Sequence, residues 1–116
     1  MRLAVINDNS KKRELWAEFC PGITPYKNPT QVFFAKRKDP NLRFDAIILD
    51  REFHECDAID DGIMDQLKTI FHEVKILISS QHHVKGEHID GAHKVIDQWP
   101  VDLEELESYL KNHDKE

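Results

Sequence analysis

Cysteine is scarce in this chain, and glycine, proline and long apolar stretches are scarce with it. Two cysteines, Cys20 and Cys56, cannot build a disulfide framework, and their spacing fits no zinc motif. Free thiols are expected. The 4 glycines are scattered, so a glycine-rich phosphate loop is excluded. No stretch approaches the roughly 20 apolar residues of a membrane span. Met1-Arg2 leads straight into an apolar run, which leaves no room for a signal peptide. A cytoplasmic location without membrane contact is expected. Positive charge is also in deficit. Lys and Arg number 16 against 22 Asp and Glu, a formal charge of -6. That balance argues against a nucleic-acid partner held by phosphate contacts. The runs Lys11-Lys12-Arg13 and Lys36-Arg37-Lys38 read as solvated helix faces.

What is present suffices for one domain spanning residues 1–116. Hydrophobic residues make up 40% and charged residues 33%, which predicts a small core under a polar surface. The most informative segment is Phe44-Asp45-Ala46-Ile47-Ile48-Leu49-Asp50, an apolar run that ends in a carboxylate. A strand buried on both faces of a parallel sheet reads as such a run, and ligands of open α/β sheets bind at the carboxyl ends of these strands. Arg2-Leu3-Ala4-Val5-Ile6 ends the same way, in Asn7 and Asp8. Two acidic strand ends could meet across a crevice and hold a cation.

The remaining elements alternate. Asn9 or Ser10 caps a helix with Leu15, Trp16 and Phe19 as its apolar stripe, stopped by Pro21-Gly22. Ile23-Thr24-Pro25-Tyr26 contains a proline and reads as an edge strand. Asn28-Pro29-Thr30 opens a helix carrying Val32, Phe33 and Phe34 and ending by Asp39-Pro40. Residues 51–60 form an acidic loop, and Asp60 or Asp61 caps a helix with Ile63, Leu67, Ile70 and Phe71 on one face. Val74 to Ile78 is a strand ending in Ser79-Ser80; residues 81–92 are weakly patterned, so any helix there is short. Lys94-Val95-Ile96-Asp97 is a fifth strand. Asp102-Leu103-Glu104-Glu105 opens the last helix like a capping box, with Leu103, Leu106, Tyr109 and Leu110 turned inward. Strand and helix repeated in this way call for a flavodoxin-like (βα)5 three-layer sandwich, its five parallel strands in the order 2-1-3-4-5.

On that frame the sequence resembles the receiver domain of two-component response regulators, from Arg2 to about Leu110. Val5-Ile6-Asn7-Asp8 resembles the acidic pair after the first strand. Asp50 falls on the phosphoacceptor, Asp61-Gly62 on the pair that opens the third helix, and Ser79 on the small hydroxyl residue after the fourth strand. Gly91-Ala92 and Trp99-Pro100 flank the fifth strand as the family's Gly-Ala and Lys-Pro do. The resemblance implies phosphoryl transfer from a histidine kinase to Asp50. It also implies weak Mg2+ binding by Asp8, Asp50 and the backbone carbonyl of Glu52, with Asn7 behind them and Ser79 donating to a phosphoryl oxygen. No turnover of its own is implied. Partners would be a histidine kinase or a downstream effector, and the family's frequent dimer surface admits a homodimer.

Several positions depart from the pattern. The lysine expected before the proline falls on Trp99 or Gln98, depending on alignment, and Lys94 lies at the wrong end of its strand to replace it. Neither an indole nor an amide supplies an ammonium's charge to a phosphate. The aromatic switch position of the fifth strand falls on Val95 or Ile96. Asn7 replaces one acid, His54 replaces a proline, and the helix between the fourth and fifth strands is shortened. These departures predict an atypical or pseudo-receiver that signals by protein–protein contact, with phosphorylation absent or impaired and no lysine ammonium at Asp50. The alternative is a working phosphoacceptor, on the strength of Asp8, Asp50 and Ser79. A third reading is a metal-binding or enzymatic flavodoxin-like domain using His54, Cys56, Asp57, His82, His83 and His88, although His-Glu-x-x-His spacing is missing. Trp99 is read as ordinary packing, with a partner anchor as its alternative.

Overall fold

A computed structural model describes residues 1–52, 62–81 and 86–111. Five strands, β1 (Leu3–Ile6), β2 (Thr24–Tyr26), β3 (Ala46–Asp50), β4 (Lys75–Ser80) and β5 (Lys94–Asp97), form one parallel sheet in the order β2-β1-β3-β4-β5. This is the expected order. Registers run Ile6 to Leu49, Asp50 to Ser79 and Ser79 to Ile96. The carboxyl ends of β1, β3, β4 and β5 therefore share one rim.

Helices α1 (Ser10–Phe19), α2 (Pro29–Lys38), α3 (Ile63–Ile70) and α4 (Leu103–Lys111) cover both faces. One face packs Ala4, Ile6, Ile47, Leu49, Ile76 and Ile78 against Val32 of α2 and Met64 and Leu67 of α3. The other packs Val5, Ile48, Leu77 and Ile96 against Trp16 of α1 and Leu106 and Leu110 of α4. Strand neighbours alternate between the two cores, which is why the strands read as unbroken apolar runs. Each fully buried Val, Leu or Ile side chain contributes about 1.5–3 kcal/mol by leaving water.

Helix starts follow the expected chemistry in three cases. The Asn9 side chain accepts from the Lys12 amide, and that of Asn28 accepts from the Gln31 amide. Asp102 accepts from the Glu105 amide at 2.9 Å. Glu105 does not reach back to complete a capping box; it accepts the Tyr109 hydroxyl instead. The expected acidic cap of α3 is not found. The cap position is Gly62, left-handed at φ 72° and without a side-chain hydrogen bond, while Asp60 and Asp61 lie outside the described residues.

Three apolar stripes are narrower than expected. Phe19, Phe34 and Leu103 are exposed. Cys20, one turn after Trp16, takes the inward place assigned to Phe19. Val32, Phe33 and Phe34 are consecutive and cannot all face one side of a helix. The fifth helix of the (βα)5 expectation is also missing among the described residues. Positions 86–93 between β4 and β5 are not helical, and residues 82–85 are not described. No helix among the described residues is long and apolar enough to cross a membrane.

Candidate functional site

The rim where β1, β3, β4 and β5 end gathers most of the polar residues singled out by sequence. Asp50 is the last residue of β3 and half-buried. Its carboxyl is pushed up from the ordinary 3.8 to about 7. Burial is the largest cause, followed by the negative charges of Asp8 and Glu52. The Glu52 amide, which donates to Asp50, and the Lys12 ammonium pull the other way without prevailing. Asp8 and Asp50 thus converge, as the two strand ends predict.

This charge balance suits a hard divalent cation, whose presence would relieve the repulsion. The donor set is lean. Among the described residues no three His, Cys, Asp or Glu side chains form a ligand cluster. The carboxylates of Asp8 and Asp50 are the acidic groups at the rim, and magnesium, which keeps several waters, accepts so small a set. The Glu52 carboxylate turns aside, with its Oε1 3.5 Å from the Gln81 amide.

Asn7 and Ser79 lie beside the carboxylates but are occupied. Asn7 is buried; its Oδ1 accepts from the Asn9 amide at 2.9 Å, holding the turn between β1 and α1. The Arg13 guanidinium donates to the Asn7 carbonyl at 2.7 Å. Ser79 pairs in register with Asp50, and its hydroxyl donates to the Asp97 carbonyl of β5 at 3.2 Å. Serine here satisfies a backbone acceptor of the neighbouring strand.

At the end of β5 the two candidate positions are both engaged by one cation. The Lys12 ammonium donates to Gln98 Oε1 and stands 5.4 Å from the centre of the Trp99 ring. Trp99 is 55% exposed, which corrects the reading of it as packing. Lys94 stands at the opposite end of β5, 5.3 Å from the Tyr109 ring, as expected.

The sequence reading therefore missed Lys12. The Lys11-Lys12-Arg13 run is a solvated helix face at Lys11 alone; Lys12 and Arg13 are half-buried at the rim. The Lys12 ammonium rests on Gln98 and Trp99. The signal was topological. A helix that follows β1 directly begins at the carboxyl rim of the sheet, so its first turn faces the same crevice as Asp50.

Of the residues in the histidine-based alternative, only His88 is among those described. His54, Cys56, Asp57, His82 and His83 lie outside the described residues. His88 contacts Asp90 at 3.2 Å on an open surface. Cys20 is a free, buried thiol, as predicted.

Comparison with known proteins places this geometry. No protein-family model matches the chain. No curated protein matches it either. Solved structures do. A response regulator receiver domain protein from Clostridium thermocellum superposes with a TM-score of 0.70 at 19% identity, covering 97% of this chain and 92% of that one. The signal receiver domain described for NarL of Mycobacterium tuberculosis gives 0.68 at 12% identity, covering 99% and 97%. The N-terminal domain of a protein from Wolinella succinogenes, WS1339, gives 0.64 at 12% identity, covering 97% and 93%. At these identities the likeness is one of fold, and that fold is the receiver-domain fold over nearly the whole chain.

Proposed function

We propose that this domain serves two-component-type signal transduction as an atypical receiver, acting through a protein partner, with phosphorylation at Asp50 impaired. One observation carries the reading. On a receiver fold, the carboxyl rim brings Asp50 together with Asp8, while β5 is followed by Gln98 and Trp99 instead of a lysine. The Ser79 hydroxyl, engaged with the Asp97 carbonyl, is a second reason for weak phosphoryl binding.

Asp8, Asp50 and the Glu52 carbonyl are the residues that would hold Mg2+. A bound divalent cation would neutralise charge on the carboxylates and on an arriving phosphoryl group. Within the chain, Asp50 is the nucleophilic carboxylate and Asn7 fixes the turn that presents Asp8. The expected partner is a histidine kinase or a downstream effector, met in the cytoplasm. Neither nucleic acid nor membrane is expected to bind, and a homodimer is one form the interaction could take.

The test is conversion by a small phosphodonor such as acetyl phosphate with magnesium, followed by intact mass. Sub-stoichiometric modification that disappears in Asp50→Asn is expected. Stoichiometric conversion would favour the second reading, a working phosphoacceptor, whose specific support is the Lys12 ammonium at the rim. Partner binding and cellular output that ignore both magnesium and Asp50→Asn would remove the carboxylate site from the function.

A further inference from the structure

We infer that Lys12, reaching the rim from the first turn of α1, is the cation that pairs with a phosphoryl-class anion at Asp50. In this role it supplies from a different element the charge that β5 does not. The inference rests on the proposed reading of Asp50 as a weak, magnesium-assisted phosphoryl site.

Three observations place Lys12 there. Its backbone is fixed, because the Lys12 amide donates to the Asn9 cap at 3.0 Å and Asn9 in turn is tied to Asn7. Its ammonium spans the crevice to β5, where it meets Gln98 Oε1 and the Trp99 ring. The place it reaches adjoins Asp50, because Gln98 follows Asp97, whose carbonyl accepts the hydroxyl of Ser79, the register partner of Asp50.

The partners that hold it are also ones it can leave. Lys36 is held by the carbonyls of Pro40 and Leu42, Lys68 by that of Gly91, and Lys75 by that of Leu110. Those are backbone clamps on local structure. Lys12 is held by a neutral side-chain amide and by the face of an exposed indole, a weak cation–π contact in water. An ammonium on a flexible four-carbon stem exchanges such partners for an anion readily, and a charge-assisted bond to a phosphoryl oxygen is stronger than either. Gln98 and Trp99 thus form a resting place for Lys12. Departure of the ammonium from Trp99 would carry the state of the site to an exposed aromatic surface, without the aromatic rotamer switch that β5 lacks.

The test uses the whole chain with magnesium and then beryllofluoride, a phosphoryl mimic, read by fluorine NMR and tryptophan emission. Trp16 is sealed in the core and gives a constant background, so changes report Trp99. Lys12→Met should weaken beryllofluoride by at least about tenfold, the loss expected for one charge-assisted contact. It should leave magnesium affinity equal or higher, because a cation has left the neighbourhood of the carboxylates. Lys12→Arg should retain most of the affinity. Beryllofluoride should change the Trp99 emission of wild type, and that change should vanish in Lys12→Met. A merely structural Lys12 would alter thermal stability and leave the anion affinity alone.

If wild type binds beryllofluoride and Lys12→Met binds it equally well, the Lys12 assignment is overturned and the reading of the rim survives. If wild type binds magnesium but no beryllofluoride, the rim is not a phosphoryl site and both fall together.

Discussion

Replacing Asp50 by asparagine should make the metal-free protein more stable at alkaline pH, although the residue stands at the centre of the candidate site. The folded protein holds the Asp50 proton up to about pH 7, whereas the ordinary carboxyl value is 3.8. A carboxyl whose folded value is raised contributes its full stability below the unfolded value and loses it as pH rises through the folded one. Above about pH 7, then, the native state carries a carboxylate that burial, Asp8 and Glu52 all disfavour. Without screening, the interval between the two values corresponds to about 4 kcal/mol. Asp50 is partly open to water, which reduces this to about 1–2 kcal/mol. Asparagine keeps the shape and can still accept the Glu52 amide, but carries no charge.

Urea denaturation in EDTA is the assay, with the urea midpoint and its slope compared across pH. Near pH 8 the Asn variant should exceed wild type by about 1–2 kcal/mol, or about 4–8 °C in Tm. Near pH 3, below the unfolded value of 3.8, the two should coincide, since Asp50 is then largely neutral in both the folded and the unfolded state. An Asn variant no more stable than wild type near pH 8 would refute the charge crowding at this rim, and with it the main support for a cation site.

Four further outcomes follow from the geometry. Magnesium should raise the Tm of wild type at alkaline pH by differential binding to the folded state, and should do so far less in Asp8→Asn or Asp50→Asn, as differential scanning fluorimetry would show. Trp16 is fully buried with its indole N–H unpartnered, so Trp16→Phe should cost less than about 2 kcal/mol while Trp16→Ala costs about 3–5 kcal/mol in denaturant unfolding. Burial pushes the Cys20 thiol up to about 11; in a Cys56→Ser background it should react with a disulfide reagent only on the timescale of unfolding, as the absorbance trace would reveal. Asp102→Ala should lower stability by about 1 kcal/mol through loss of the α4 cap.

The strands were legible because burial on both faces leaves an uninterrupted apolar run, and Ile47-Ile48-Leu49 is such a run. Edge placement of β2 was legible from Pro25, and the caps Asn9, Asn28 and Asp102 from their side-chain chemistry. Helix faces were read too broadly, because Phe19 and Phe34 were credited with burial on hydrophobicity alone, whereas helical phase turns each outward. The start of α3 was misread because a left-handed glycine can open a helix where an acid was expected. At the site, Asp8 and Asp50 could be brought together from two strand ends. Lys12 could not be found by scanning β5. Its position depends on how far a side chain on α1 reaches across the rim, and only the packed structure specifies that distance.

Pro25 has an effect beyond its own strand. In β2, Tyr26 directs its carbonyl to the amide of Asn7, the residue after β1, so by alternation Thr24 also faces inward and Pro25 is the single outward position. That position has no amide hydrogen to offer. One margin of the sheet is thereby closed to a visiting strand, and the other margin, β5, carries the exposed ends Lys94 and Asp97. A ribbon that grows by repeated strand addition needs two receptive margins on every copy. Strand pairing between copies of this domain through their sheets would stop at a pair.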